Sequence, residues 1–246
     1  MKTIKEKGKK AKKYICLVVL LICTVIGCYG IFKAPASDQD ELEQELLENE
    51  QLLEGSTDSL TDAALTGGAL TGSALTGAAI ESSTGGQPES QESITVIGDS
   101  VFLGAGPSFK KLQKNAVIDA KISRQVYQGI DVAKKLDKKN KLGDTILISL
   151  GTNGNFNPVT GRELIDYLGG ERRIYWINVY GKDLDIQKQV NSTIRNLVKE
   201  YDNVHLISWA EEGKKHPDWF YQDGIHLNTK GQSGFAEFIY DHLNGQ

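Results

Sequence analysis

Residues 95–106 read TVIGDSVFLGAG: an apolar run ending at Ile97, the tripeptide Gly98-Asp99-Ser100, and at once a stretch able to open a helix. A continuous apolar run bounded by turn residues suits a strand covered on both faces, as in a parallel sheet between helices. The pattern recurs toward the C-terminus. ITVIG, AVID, TILISL, RIYWINVY and VHLIS are strand-like, and amphipathic stretches such as VYQGIDVAKKL and IQKQVNSTIRNLVKEY lie between them. In the second of these, Ile186, Val190, Ile194, Leu197 and Tyr201 share a helix face; in the closing GQSGFAEFIYDHL, Phe235, Phe238, Ile239 and Leu243 do. Five strands with intervening helices over residues 94–246 predict a three-layer α/β domain. Ligands of such sheets gather beyond the carboxyl ends of the strands, and Ser100 stands at one.

The rest of the 246-residue chain differs sharply in charge. Residues 1–32 carry seven lysines against Glu6, residues 33–93 carry Lys33 against thirteen acids, and residues 94–246 carry twenty bases against eighteen acids. The near-neutral final part excludes nucleic acid as the main partner, which would demand a basic patch. Nineteen residues without charge, 14–32, are long enough to cross a bilayer as a helix. A basic stretch, 1–13, precedes them and acids follow, so a single-pass anchor with a cytoplasmic N-terminus and an extracellular C-terminal part is expected. Cys16, Cys23 and Cys28, the three cysteines, all fall in that apolar stretch. Val25 to Cys28, VIGC, also fits a lipobox, with lipidation of Cys28 as the competing way to reach the membrane.

Residues 33–93 are expected to be a linker, acidic first and then rich in Gly, Ala, Ser and Thr. SDQDELEQELLENEQLLE, 37–54, has eight acids and no base, with Leu42, Leu46 and Leu53 at helix-like spacing. A short coiled coil is conceivable, but charge repulsion favours a solvated helix or a spacer. The pentads LTDAA, LTGGA, LTGSA and LTGAA that follow bury too little to offset their ordering entropy.

A hydroxyl at a strand end needs a base, and that base needs an orienting partner. Only four histidines are available. His205 lies in a strand-like run, His216 before Pro217 in a polar loop, and His242 on the last helix. His226 alone follows an aspartate, Asp223, by three residues, with Asn228-Thr229 ready to cap the next helix. The carboxylate can meet Nδ1 and leave Nε2 for a serine. Acyl transfer also needs donors for the oxyanion; the Ser100 N–H and the Asn153 side chain, in SLGTNGNF after a buried strand, are candidates. Asp99 is assigned to shaping the turn. Arg124 and Gln125 could orient substrate or solvate a loop; Trp219, Phe220 and Tyr221 could stack on sugar or fasten the loop by packing. Neither a cofactor nor a metal is implied, since no cluster has ligand spacing.

GDSV after the first strand, GTNG after the third and DGIHLN before the last helix together resemble the SGNH (GDSL-type) hydrolases across 94–246. With VIGDSV and IDAKISRQ, they are most similar to the extracytoplasmic SGNH domain of bacterial peptidoglycan O-acetyltransferases. The resemblance implies a flavodoxin-like sandwich with a five-stranded parallel sheet. It implies Ser100 as nucleophile, Asp223 and His226 as the rest of the triad, and an oxyanion hole from Ser100 and Asn153. The family places a glycine in its second block where this chain has Ser123, leaving that residue an open third donor. The expected function is that of a serine esterase or O-acyltransferase acting on short acyl groups of cell-wall or surface glycan. A separate multi-span membrane protein would have to supply the acyl group in a transferase. A lipase or thioesterase, and a catalytically silent glycan-binding module on a stalk, are the competing readings.

Overall fold

The computed structural model describes residues 38–65 and 93–245, with side chains in the first segment described through Glu54 and Gly55. The stretches read as the cytoplasmic N-terminus and membrane anchor, Cys28 included, lie outside the described residues, as do the later pentads. Among the described residues no helix is long and apolar enough to cross a membrane.

The sheet has five parallel strands in the order β2-β1-β3-β4-β5: β1 (Ile94–Gly98), β2 (Val117–Ala120), β3 (Thr145–Ser149), β4 (Arg173–Ile177) and β5 (Val204–Ile207). This is the flavodoxin-like order. Position in the sheet accounts for strand composition. Every residue of β1 and β3 is buried, as befits inner strands covered on both faces, whereas the edge strands β2 and β5 admit Asp119 and His205 at half-buried positions.

Successive strand residues point to opposite faces. Val96, Leu147, Tyr175 and Ile177 join one core cluster; Ile97, Ile146, Ile148, Ile174 and Trp176 join the other. The first face is covered by α2 (Ser100–Leu112), through Phe102 and Phe109, by α6 (Trp209–Gly213) and by α7 (Thr229–Asn244), through Phe235 and Ile239. On the second lie α3 (Gly129–Lys138), α4 (Pro158–Leu168) and α5 (Gln187–Val198), through Leu136, Leu164, Ile194 and Leu197. Helix α4 went unread in the sequence, although Asn157 and Pro158 form a clear start: the Asn157 side chain accepts from the Val159 N–H, and Pro158 opens the helix.

Residues 38–65 form one helix, α1 (Asp38–Leu65), and it is not a solvated spacer. Leu42, Leu46 and Leu53 are 8 %, 5 % and 5 % exposed and belong to the first core cluster, while Leu47 and Leu52 face solvent. The compact unit therefore begins at Leu42, well ahead of residue 94. Burial of a leucine stripe is worth roughly 1.5–3 kcal/mol per side chain, enough to outweigh repulsion among exposed glutamates.

Candidate active site

The Gly98-Asp99-Ser100 turn is built where β1 ends. Gly98 pairs with Ser149 of β3, and the Asp99 N–H extends the ladder to the Ser149 carbonyl at 2.9 Å. Gly98 is required by close approach: a Cβ there would lie 2.8 Å from Phe102 Cβ and 3.2 Å from Ala120 Cβ. Asp99 caps α2, accepting from the Val101 N–H at 3.1 Å, and its other oxygen accepts from the Thr152 N–H at 3.4 Å. Turn shaping, the role read for Asp99, is what the structure shows. Burial pushes its carboxyl up, the bonds from Val101 and Thr152 only partly opposing it, to about 6. Ser100 is the first residue of α2 and 4 % exposed.

His226 and Asp223 arrive on the loop before α7. The loop is pinned by an antiparallel bridge between Phe220 and Leu227 and by the Tyr221 N–H on the His226 carbonyl at 2.9 Å. Asn228 caps α7, accepting from the Gly231 N–H at 3.0 Å, and donates to the carbonyls of Asp218 and Phe220. Asp223 Oδ1 accepts from the backbone N–H groups of Ile225 and His226 at 2.9 and 3.0 Å. Its Oδ2 lies 2.6 Å from His226 Nδ1, and His226 Nε2 lies 2.9 Å from Ser100 Oγ.

Proton positions follow from chemistry. Burial raises the Asp223 carboxyl, but the bonds from the His226 ring and the two N–H groups outweigh it and hold the group below the usual carboxylate range. An ionised carboxylate only accepts, so Nδ1 carries the hydrogen and Nε2 is free to accept from the serine. The array can take a proton from Ser100 as its oxygen attacks.

Asn153 follows β3 in a loop with Gly151 and Gly154 at positive φ. Its Nδ2 donates to the Arg124 carbonyl at 3.2 Å and its own carbonyl accepts from Gln125 Nε2 at 2.7 Å. A primary amide has two N–H groups, so a second remains for an oxyanion. Ser123 sits in the neighbouring loop at φ +59, the left-handed region that favours glycine, with its side chain exposed. The backbone thus keeps a glycine-like shape at this position.

Arg124 and Gln125 turn out to be structural ties. Arg124 is 7 % exposed; one guanidinium nitrogen donates to the Gly98 carbonyl at 3.0 Å and to the Asp119 carbonyl, the other to Asp119 Oδ1 at 2.6 Å. It fastens the Ser123 loop to the end of β1, while Gln125 fastens it to Asn153. Thr152, as a partner of Asp99, was likewise missed. No local signal identifies these ties, because Arg124 reaches the Gly98 carbonyl, Gln125 the Asn153 carbonyl and Thr152 the Asp99 carboxylate, each far away along the chain.

The aromatic run before Asp223 fastens the loop. Trp219 stacks on His216, centroids 3.8 Å apart, and lies near Trp209 at 6.3 Å; Phe220 meets Tyr180 at 5.1 Å. The other histidines have local partners: His205 packs on Tyr175, His216 Nε2 meets Glu212, and His242 Nδ1 meets the Phe238 carbonyl.

A flavodoxin-like sheet whose strand ends gather a Gly-Asp-Ser turn, a Gly-Thr-Asn-Gly loop and an Asp-Gly-Ile-His loop has the architecture of an SGNH-type serine hydrolase or acyltransferase. The comparisons with known proteins agree. The chain is 33 % identical over 150 residues to the O-acetyltransferase OatA of Staphylococcus aureus strain NCTC 8325, covering 61 % of this chain and 24 % of that protein. It thus spans about a quarter of the length of the curated relatives it matches. Among solved structures, the C-terminal catalytic domain of Streptococcus pneumoniae peptidoglycan O-acetyltransferase A, with a methylsulfonyl adduct, superposes with a TM-score of 0.55 at 19 % identity, covering 63 % of this chain and 93 % of that one. A family 3 carbohydrate esterase from Talaromyces cellulolyticus gives 0.52 at 14 % identity, covering 63 % and 97 %. These likenesses show the shared fold. No protein-family model matches.

Proposed function

We propose that the domain is a serine O-acyltransferase or esterase acting on short acyl groups, acetyl above all, of cell-wall or surface glycan. The observation that carries the reading is the chain of contacts from Asp223 through His226 to Ser100, at 2.6 and 2.9 Å, in a chain similar to an O-acetyltransferase. Ser100 Oγ attacks the ester carbonyl while His226 Nε2 takes its proton. The tetrahedral oxyanion is held by the Ser100 N–H and Asn153 Nδ2, with the Ser123 N–H as third donor. His226 returns the proton to the departing alcohol, leaving an acyl-serine. A glycan hydroxyl or water, deprotonated by His226, then removes the acyl group.

The site's exposure favours a polymer substrate over a swallowed fatty chain. The side chains of His226 and Asp223 are 23 % and 33 % exposed, so an acyl group on a long glycan can reach Ser100 from outside. Residues 14–32 would anchor the enzyme, single-pass, at the outer face of the cytoplasmic membrane, with a separate multi-span protein as acyl donor. Protease added outside intact cells should then remove the domain.

The test is to supply an activated acetyl ester with wall-glycan oligomers and follow the acetate. Acetylated oligomer, abolished by Ser100→Ala, supports transfer. Release to water alone at every acceptor concentration leaves an esterase, and no Ser100-dependent turnover leaves the silent binding module.

A further inference from the structure

Helix α1 touches both of the elements that hold the triad. Leu53 packs on Gly106 of α2, the helix that opens with Ser100; a Cβ at Gly106 would lie 2.7 Å from Leu53 Cδ1, so the bare backbone is what lets the two helices approach. Asn49, on the same face of α1, donates to the Gly104 carbonyl at 3.3 Å. One turn earlier, Glu45 faces the loop of the base. Its Oε2 accepts from the Tyr221 hydroxyl at 2.9 Å and its Oε1 from Gln232 Nε2 at 2.6 Å.

Those two partners flank His226. The Tyr221 N–H donates to the His226 carbonyl at 2.9 Å, and the Gln232 amide also donates to the carbonyl of Leu227 at 3.2 Å. One carboxylate thereby holds both arms of the turn that carries Asp223 and His226. Its helix is already seated by Leu42, Leu46 and Leu53. The Glu45 bonds add registration of the loop to an attachment the leucines provide.

We propose that Glu45 is a positioning residue for the triad, holding the Asp223-His226 loop against α2 so that His226 Nε2 stays within reach of Ser100. The inference rests on Ser100 acting as the nucleophile. Misplacing a catalytic group by about an ångström costs on the order of a hundredfold in rate, so a loosened loop should cost about tenfold or more.

The experiment uses the intact chain and two readouts, the rate of fluorophosphonate labelling at Ser100 and the kcat and KM for an activated acetyl ester, with thermal unfolding in parallel. Glu45→Ala should slow labelling and lower kcat about tenfold with KM within about twofold of wild type, at a nearly unchanged unfolding midpoint. Tyr221→Phe, which removes only the hydroxyl, should lower kcat in the same direction, and the double variant should lose less than the product of the two single losses. Glu45→Gln, retaining an acceptor oxygen, should recover part of the rate, and Glu48→Ala on the exposed face should match wild type. If wild type labels and Glu45→Ala labels as fast, the positioning role is overturned while the nucleophile stands. Losses that multiply, or that track a fall in the unfolding midpoint, overturn it as well. A wild type that never labels at Ser100 overturns the nucleophile and the positioning role with it.

Discussion

Asp99 offers a test of the buried turn with a sign that few other carboxylates share. Its pKa is raised from 3.8 to about 6, so between those values the native protein holds a proton that the unfolded chain has lost. The associated stability is fully present below the unfolded value and disappears as pH rises through about 6. At roughly 1.4 kcal/mol per pKa unit, about 2 kcal/mol should be lost between about pH 4 and pH 7. Other groups, Asp223 and Glu212 among them, have lowered values and act in the opposite direction, so wild type alone would not isolate the effect. Asp99→Asn does, because the amide stays neutral and can still accept from the Val101 N–H. Any loss of the Thr152 bond enters as a constant offset. Urea unfolding followed by tryptophan fluorescence, with Trp176 and Trp209 buried in opposite core clusters, gives both stabilities across the range. The unfolding free energy of Asp99→Asn minus that of wild type should grow by about 2 kcal/mol from about pH 4 to pH 7. A difference that stays flat, or shrinks as pH rises, would refute a carboxyl destabilised by burial at this position.

Further substitutions probe the loops around it. With Asn153 as the proposed oxyanion donor, Asn153→Ala should lower kcat by about a hundredfold or more while ester KM moves little, measured by steady-state kinetics. Arg124→Met takes the guanidinium away from the Asp119 carboxylate, which keeps Lys135 at 3.3 Å, and from the Gly98 carbonyl, which keeps the Lys121 N–H; a loss of about 2 kcal/mol in urea unfolding is expected, partly recovered by adding Asp119→Asn. Ser123→Gly relieves a left-handed backbone but frees the unfolded chain, so stability should stay within about 1 kcal/mol of wild type, whereas Ser123→Val should cost about 1 kcal/mol or more in thermal unfolding.

The five strands were legible because inner strands of a parallel sheet must be apolar on both faces, and ITVIG and TILIS announce that without context. The Asp223-His226 pair was legible because its geometry is local: the carboxylate bonds to two N–H groups within its own turn. Arg124 was not, because its worth lies in the Gly98 carbonyl across the sheet and in Asp119 across a loop. Helix α1 misled for a related reason. The eight acids of residues 37–54 argue for solvation, and the leucine spacing is short for a coiled coil, but the partner surface is a helix with Gly104 and Gly106 that belongs to the same unit. Amphipathic spacing shows that a face will be buried, not against what.

The contacts from Asp223 through His226 to Ser100 predict that Ser100 becomes covalently acylated. Rapid quenching during turnover of an activated acetyl ester, followed by peptide mass spectrometry, reads this directly. An acetyl group on Ser100 should accumulate in wild type and be absent from Ser100→Ala and His226→Ala. Turnover that proceeds with Ser100 unmodified and survives Ser100→Ala would contradict it.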